Sequence, residues 1–500
     1  MSKPVENSVD YVNNSLETPL SPLTWKDAVI PLLALILAFL FWAVFAVRDM
    51  GYFGPGAGVP VFVGCYFGAV CLIMGPRARY TRSAVFFIAV SMLLALSCWL
   101  HSSLGLTTLN SFIILLTAAG ATFQLSGQSR FSLACARILP ETVRLSILAL
   151  CSNLGQPFRL LSRFGKNKED SLRRGLMAFF VTVGLLAVVI ALLSSADEVF
   201  GNLFERLGDR LAALAPGPAL WKIFRALALA LFIASGLYFL QAESPASEAA
   251  EDPKKERYVP LFLLPALLLD AVYLIFCAIQ LKYLFGGAEA AAMAGGWAHY
   301  AREGFFQLVS VSIINLGLCL LGCREDRFAG KDGSLLRITN ILLLLLTLVI
   351  LVSAARRMQL YILAYGLSLL RFMTLWGMLV ILVGLLAAGW KLLRPPFSFF
   401  RLFAPFLLTT WCVFCLGNPG GIIAEYNVDH YLSGDLQTVD TFYLERLGPD
   451  ALPALYLLYE TTGQGEHAMI FIANHGDLET CWTQHKLGYR HLPDGFPWSN

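Results

Sequence analysis

Charge is what this sequence has least of. Only 14% of its 500 residues are Asp, Glu, Lys or Arg, against roughly 25% in a soluble globular domain, which excludes a chain that folds in water alone. The familiar catalytic signatures are missing too. There is no His-Glu-x-x-His and no Gly-x-Ser-x-Gly, and Gly330-Lys331-Asp332-Gly333-Ser334 lacks the spacing of a phosphate-binding loop. Nucleotide hydrolysis is therefore not expected, and no nucleic-acid-binding module is present. His475, Glu479, Cys481, His485 and His491 are of types that suit zinc, but their spacing matches no usual site, so neither a metal nor a cofactor is expected. Residues 1–24 are polar, carry Glu6, Asp10 and Glu17, and lack the basic start and short apolar core of a signal peptide. Most of the 11 cysteines fall in apolar segments, with Cys481 alone in the C-terminal tail, so no disulfide framework follows.

What the chain has instead is apolar blocks of about twenty residues, with 57% hydrophobic composition and a mean hydropathy of +0.65. Eleven spans are expected, at 28–47, 56–74, 83–100, 106–123, 175–194, 219–240, 259–281, 305–322, 335–355, 368–390 and 398–416. Continuous apolar runs of this length fit helices and not the alternating segments of a barrel, which run to about ten residues. The predicted fold is an all-α polytopic membrane bundle with a small helical C-terminal tail. It divides into an N-terminal tail (1–27), four helices (28–123), a basic interfacial segment (124–174), a seven-helix membrane domain (175–416) and the tail (417–500). With the N-terminus in the cytoplasm, 24 of the 37 Lys and Arg residues fall on the inner side, so the C-terminus is expected outside.

Between the spans, the segment from Ser126 to Arg174 sets nine basic residues among Leu and Ile at helical spacing. It reads as an interfacial helix pair attracted to anionic lipid. Phe200, Leu203, Phe204, Leu207, Leu211 and Leu214 mark an amphipathic helix. From residue 418 onward two or three short helices are expected.

Ionisable or amide groups inside apolar runs are the natural candidates for function, because a charge at mid-bilayer costs roughly 2.5–3.5 kcal/mol on insertion scales. Asp270 sits at the centre of its span, with Gln280 ten residues on. It either binds a proton or cation or pairs with another helix. Asn315 and Asn340 suit hydrogen bonds between helices. Arg357, Tyr361 and Tyr365 make an i, i+4, i+8 stripe with Arg371 following. Such a stripe suits either a phosphate or carboxylate ligand or an aromatic belt.

Four stretches are distinctive as a set: Ser195–Phe200, containing Asp197; Tyr300–Phe306, containing Arg302 and Glu303; Arg357 to Arg371; and Asn418-Pro419 with Ile423–Asn427. Their order and spacing resemble an uncharacterised bacterial multi-pass membrane family, domain of unknown function 4173, over roughly residues 175–460. That resemblance implies a bacterial inner-membrane protein and supplies no activity. On the expected topology the matching pieces fall at the outer ends of spans, where Asp197, Arg302, Glu303, Arg357, Arg371 and Asn427 would meet in one polar cluster, with Tyr300 and Asn418 nearby.

The leading expectation is a transporter or a lipid- or solute-handling protein. The rival is a non-catalytic envelope or signalling scaffold that binds a protein partner, and a third reading is an intramembrane transferase acting on a lipid-linked substrate.

Overall fold

The structure is a computed structural model, and it describes residues 25–45, 56–101, 104–158, 217–241, 260–285, 305–322 and 330–476. Among these residues all regular structure is helical. The helices are α1 (Trp25–Phe45), α2 (Gly58–Met74), α3 (Arg82–Leu100), α4 (Leu104–Ser126), α5 (Ile138–Ser152), α6 (Gly217–Phe239), α7 (Pro260–Phe285) and α8 (Phe305–Gly322). They continue as α9 (Gly330–Tyr365), α10 (Leu369–Leu393), α11 (Phe399–Leu416), α12 (Pro419–Leu432), α13 (Thr441–Leu447), α14 (Leu452–Thr462) and α15 (Glu466–Gly476).

Eight of these helices are long and apolar enough to cross a membrane, and two shorter apolar helices, Ile223–Phe239 and Phe306–Gly322, accompany them. Ten of the eleven expected spans are thus helical, and the protein is a multi-pass membrane protein. The expected span at 175–194 and the amphipathic helix at 200–214 lie outside the described residues. Of the expected interfacial helix pair, α5 is described and the remainder is not. None of the nine described cysteines is in a disulfide.

The chain forms two compact units. In the first, comprising residues 1–39 and 148–242, α6 ties its neighbours through polar side chains. Ser235 Oγ donates to Ala149 O at 2.8 Å and accepts from Asn153 N at 3.0 Å, and Tyr238 Oη donates to Asp27 O at 3.1 Å.

The second unit, comprising residues 40–147 and 243–500, has two apolar cores. One is built by α2, α3 and α4 with the end of α11, around Leu94, Ile114 and Trp411. The other is built by α7 to α10 together with the C-terminal helices, around Ile350, Leu392, Ile423 and Leu455. Hydroxyls in the spans bond back to their own helices, as Ser91 does to Phe87 O and Thr117 to Ile113 O, which leaves the backbone ladder intact where no water competes. Ser91 also meets Thr117 across α3 and α4 at 2.8 Å, and Tyr66 meets Thr122 across α2 and α4 at 2.9 Å. Gly384 lets α8 and α10 approach closely, since a Cβ there would lie 2.8 Å from Leu316 Cδ2.

Helix α9 runs for 36 residues, about 54 Å at about 1.5 Å per residue, well beyond a hydrocarbon layer of about 30 Å. The expected span at 335–355 is only its apolar part. Its far end joins α10 at a tight corner, where α12 to α15 pack into the same core. The tail is therefore four helices among the described residues, continuous with the bundle's own interior.

Candidate functional site

The corner between α9 and α10 gathers four of the polar residues singled out from the sequence, Tyr361, Tyr365, Arg371 and Asn427. Gly366, at φ +76°, closes α9 by donating its N–H to Ile362 O at 2.8 Å. Ser368 then caps α10, its hydroxyl accepting from Arg371 N. Arg371 folds back over the end of α9: Nη1 donates to Tyr365 O at 3.0 Å and to Gly366 O, and the guanidinium lies 4.2 Å from the Tyr361 ring centroid and 5.9 Å from that of Tyr365. A cation here answers the unsatisfied carbonyls and the negative pole of a helix C-terminus, and the two phenol rings, edge-on at 5.2 Å, hold it in place. Arg357 lies one turn below Tyr361, half-buried.

From the opposite side α12 supplies Asn427. Its Oδ1 accepts from Leu367 N at 2.6 Å and its Nδ2 donates to Leu367 O at 2.8 Å, so one side-chain amide pairs both backbone groups of a buried residue. Tyr443 of α13 completes the clamp, its phenol oxygen accepting from Leu369 N at 2.7 Å. Burial pushes the Tyr443 phenol above its ordinary value, against the opposing pull of the Leu369 N–H and the Arg371 cation, and keeps it neutral. The structure therefore joins Arg371, Asn427, Tyr361 and Tyr365 in one joint. Asp197, Tyr300, Arg302 and Glu303 lie outside the described residues, as does the side chain of Gln280.

Asn418 holds a second corner, between α11 and α12. It has a left-handed backbone, φ 52° and ψ 62°, and caps α12 by accepting from Gly421 N at 3.0 Å. Among the described residues it is the one non-glycine with positive φ. Asn418→Gly keeps that backbone conformation and is expected to lower stability by only a few tenths of a kcal/mol, whereas Asn418→Ala is expected to cost about 1–2 kcal/mol. Melting of the two variants side by side in detergent checks this.

Two further polar clusters had no signal in the sequence. His101 faces Asp450, Nδ1 to Oδ1 at 3.6 Å, while its Nε2 lies 3.1 Å from Leu416 O. Asn110, buried, accepts from Trp411 Nε1 at 2.9 Å and Cys415 Sγ at 3.4 Å and donates to Ser97 Oγ at 3.1 Å. Among the described residues no group of three or more His, Cys, Asp or Glu is placed to hold a metal ion.

Asp270 occupies a different setting. Most of α7 is exposed, with Leu264, Leu268, Val272 and Ile275 all more than half accessible, as suits a helix bathed in lipid. Over 262–279 its only fully buried residues are Ala266, Asp270 and Cys277, at i, i+4 and i+11, with half-buried Tyr273 between them. This narrow stripe is the face that packs on the bundle. One turn along from Asp270, Tyr273 donates to Asn315 Oδ1 at 3.0 Å, and Asn315 Nδ2 donates to Thr347 Oγ1 at 2.9 Å, linking α7, α8 and α9. Asp270 itself is 3% exposed, and neither carboxyl oxygen has a hydrogen-bond partner among the described residues. Nor does Nδ2 of buried Asn340 on α9.

Comparison with known proteins finds a family match. The model of a family described as Domain of unknown function (DUF4153) covers residues 88–458. The family number differs from the one the sequence resemblance suggested, and the match reaches back into α3 and α4, which that resemblance left out. No curated protein matches the chain, and no solved structure does.

Proposed function

We propose, for a chain that belongs to the DUF4153 family and takes no activity from that family's description, that it moves a solute or lipid through the membrane, with Asp270 as the group that takes up and releases a proton or small cation. The observation that carries this reading is a buried carboxyl with no partner for either oxygen among the described residues, on the one packed stripe of a lipid-exposed helix. An acid in that setting is costly to keep, and intramembrane acids that face a bundle interior mark ion or substrate paths. The polar groups of the α9–α10 corner, by contrast, already bond to one another, which favours Asp270 over the corner as the working site.

The orientation we propose follows from charge. Between 418 and 476 the chain carries Glu425, Asp429, Asp435, Asp440, Glu445, Asp450, Glu460 and Glu466 against Arg446 alone. The opposite end of the second unit is rich in arginine. Under the positive-inside rule the arginine end faces the cytoplasm and the acidic helices face outward across a bacterial inner membrane. The acidic helices also support a second reading, a scaffold whose outer domain binds a basic protein partner.

The test is flux through purified protein in liposomes, under an imposed proton gradient read by an enclosed pH dye and, separately, under sodium and potassium gradients. Wild-type protein is expected to dissipate one of these, Asp270→Asn to lose most of that flux, and Asp270→Glu to keep part of it. Equal flux from Asp270→Asn and wild type, or none from wild type under any gradient, sinks the transport reading and leaves the scaffold.

A further inference from the structure

Three chain reversals of the second unit are bonded into one rim. Arg79 N, in the turn between α2 and α3, donates to Leu125 O at the end of α4 at 2.8 Å. Leu133 N, in the loop between α4 and α5, donates to Ser83 Oγ at 3.3 Å. Ser398 Oγ, before α11, donates to Ala134 O of that same loop at 3.3 Å. These bonds bring Arg77, Arg79, Arg82, Arg130, Arg394 and Arg401 to one end of the helices, and all six are exposed. None of them makes an ion pair within 4.0 Å among the described residues. The acid in this loop and helix, Glu141, is turned inward: its carboxylate accepts from Ser129 Oγ at 2.7 Å, Arg130 N at 3.1 Å and Phe131 N at 3.3 Å. It orders the loop and does not cover the guanidinium groups.

A second, independent feature lies at the same end. Helix α5 has 15 residues, about 22 Å at about 1.5 Å per residue, too short to span about 30 Å of hydrocarbon. Yet Leu139, Val143 and Ile147, one above another at i, i+4 and i+8, are 53%, 46% and 59% exposed, while Ile138 and Thr142 are buried. Its outward face is apolar where it leaves the rim, and Arg144 on the same helix is exposed. That combination belongs to a helix lying in the plane of a membrane interface.

We infer that this rim is a binding surface for anionic phospholipid headgroups, with the six guanidinium groups taking the phosphates and α5 sunk beside them to the depth of the acyl boundary. Arginine suits the role because its planar fork pairs phosphate oxygens two at a time. The surface stands apart from Asp270 and does not depend on transport.

The test uses the full chain in vesicles of phosphatidylcholine mixed with phosphatidylglycerol, with spin-labelled forms of each lipid reporting the fraction held at the protein. Wild type is expected to hold phosphatidylglycerol at least about fivefold more strongly, given about 1 kcal/mol per basic residue near an anionic surface, and the preference should weaken at high salt. The triple variant Arg79→Gln, Arg82→Gln, Arg130→Gln should bring it close to the phosphatidylcholine level, while Arg356→Gln on α9 should leave it unchanged. In a separate variant, Leu139→Trp, the new indole's fluorescence should be quenched by brominated lipid chains, which reads the depth of α5 even if the triple variant does not fold. Equal retention of the two lipids by wild type, displacement of phosphatidylglycerol by soluble glycerol phosphate, or fluorescence of the Leu139→Trp variant that brominated chains leave unquenched would each overturn the inference.

Discussion

Replacing Asp270 by leucine is expected to make the protein more stable and to silence it. A buried polar group left without a partner costs about 1–3 kcal/mol, and more when charged. Asp270 is such a group, 3% exposed with both oxygens unpartnered among the described residues. When detergent unfolds the chain, the carboxyl regains water. In the folded bundle it shares its stripe with Ala266, Tyr273 and Cys277, and neither oxygen finds a hydrogen-bond partner among the described residues. Leucine removes that penalty and adds apolar contact, so a gain of about 1–3 kcal/mol is expected, reduced somewhat by the larger side chain. Asp270→Asn keeps the shape and keeps a buried polar group, so its stability should stay close to wild type. Unfolding in a denaturing detergent, followed by helical signal, gives both values. The sign is what matters: a loss of stability in Asp270→Leu would mean that the carboxyl holds helices together. A gain in stability accompanied by loss of flux is the pattern of a group retained for function against its own cost.

This residue also marks how far the amino-acid pattern alone can be read. An acid within an apolar run is a local signal, and so is a run of about twenty apolar residues, which is why ten of the eleven expected spans are helical and Asp270 stands out by its position. That Ala266, Asp270 and Cys277 share one helix face follows from helical spacing, but in a helix apolar all round that spacing does not say this face is the packed one. What is not legible is which helices that stripe meets. The link from Tyr273 through Asn315 to Thr347 depends on three segments packing together, and no single segment announces it. The same holds for His101 beside Asp450 and for Asn110 beneath Trp411, whose partners come from distant parts of the chain.

Helix length is hard to read for a related reason. Hydropathy marks where α9 leaves the membrane, near Arg356 and Arg357, while the helix itself ends only where Gly366 turns to positive φ. Asn418 and Asn427 stand out in the sequence as polar residues of a family-like pattern, which suggests ligands. Their bonds to Gly421 N and to Leu367 show what the pattern also encodes, namely two corners that need an amide to hold them.

The second large effect is expected at that α9–α10 corner, where two residues far apart in sequence constrain each other. Asn427→Ala strips the partners from Leu367 N–H and C=O, both inside the core, and should cost about 2–4 kcal/mol, since a buried backbone group left unpaired forfeits about 1–3 kcal/mol. Asn427→Asp should be no better. One of its oxygens can still accept from Leu367 N, but the other then faces Leu367 O with no proton between them. Gly366→Ala adds a Cβ that would fall inside contact distance of Asn427 Oδ1, at a backbone conformation, φ +76°, that L-residues resist. It should therefore cost at least as much as Asn427→Ala. The two costs should not add. Once Asn427 is alanine the collision is gone, and a subsequent Gly366→Ala should cost only the left-handed strain, about 1–2 kcal/mol. A double-mutant cycle on melting in detergent measures the difference as a coupling energy, expected in the range of about 1–3 kcal/mol for residues in direct contact. Additive costs, or an Asn427→Ala variant within about 0.5 kcal/mol of wild type, would mean that the corner is held by Arg371 and Tyr443 and that the amide only fills space.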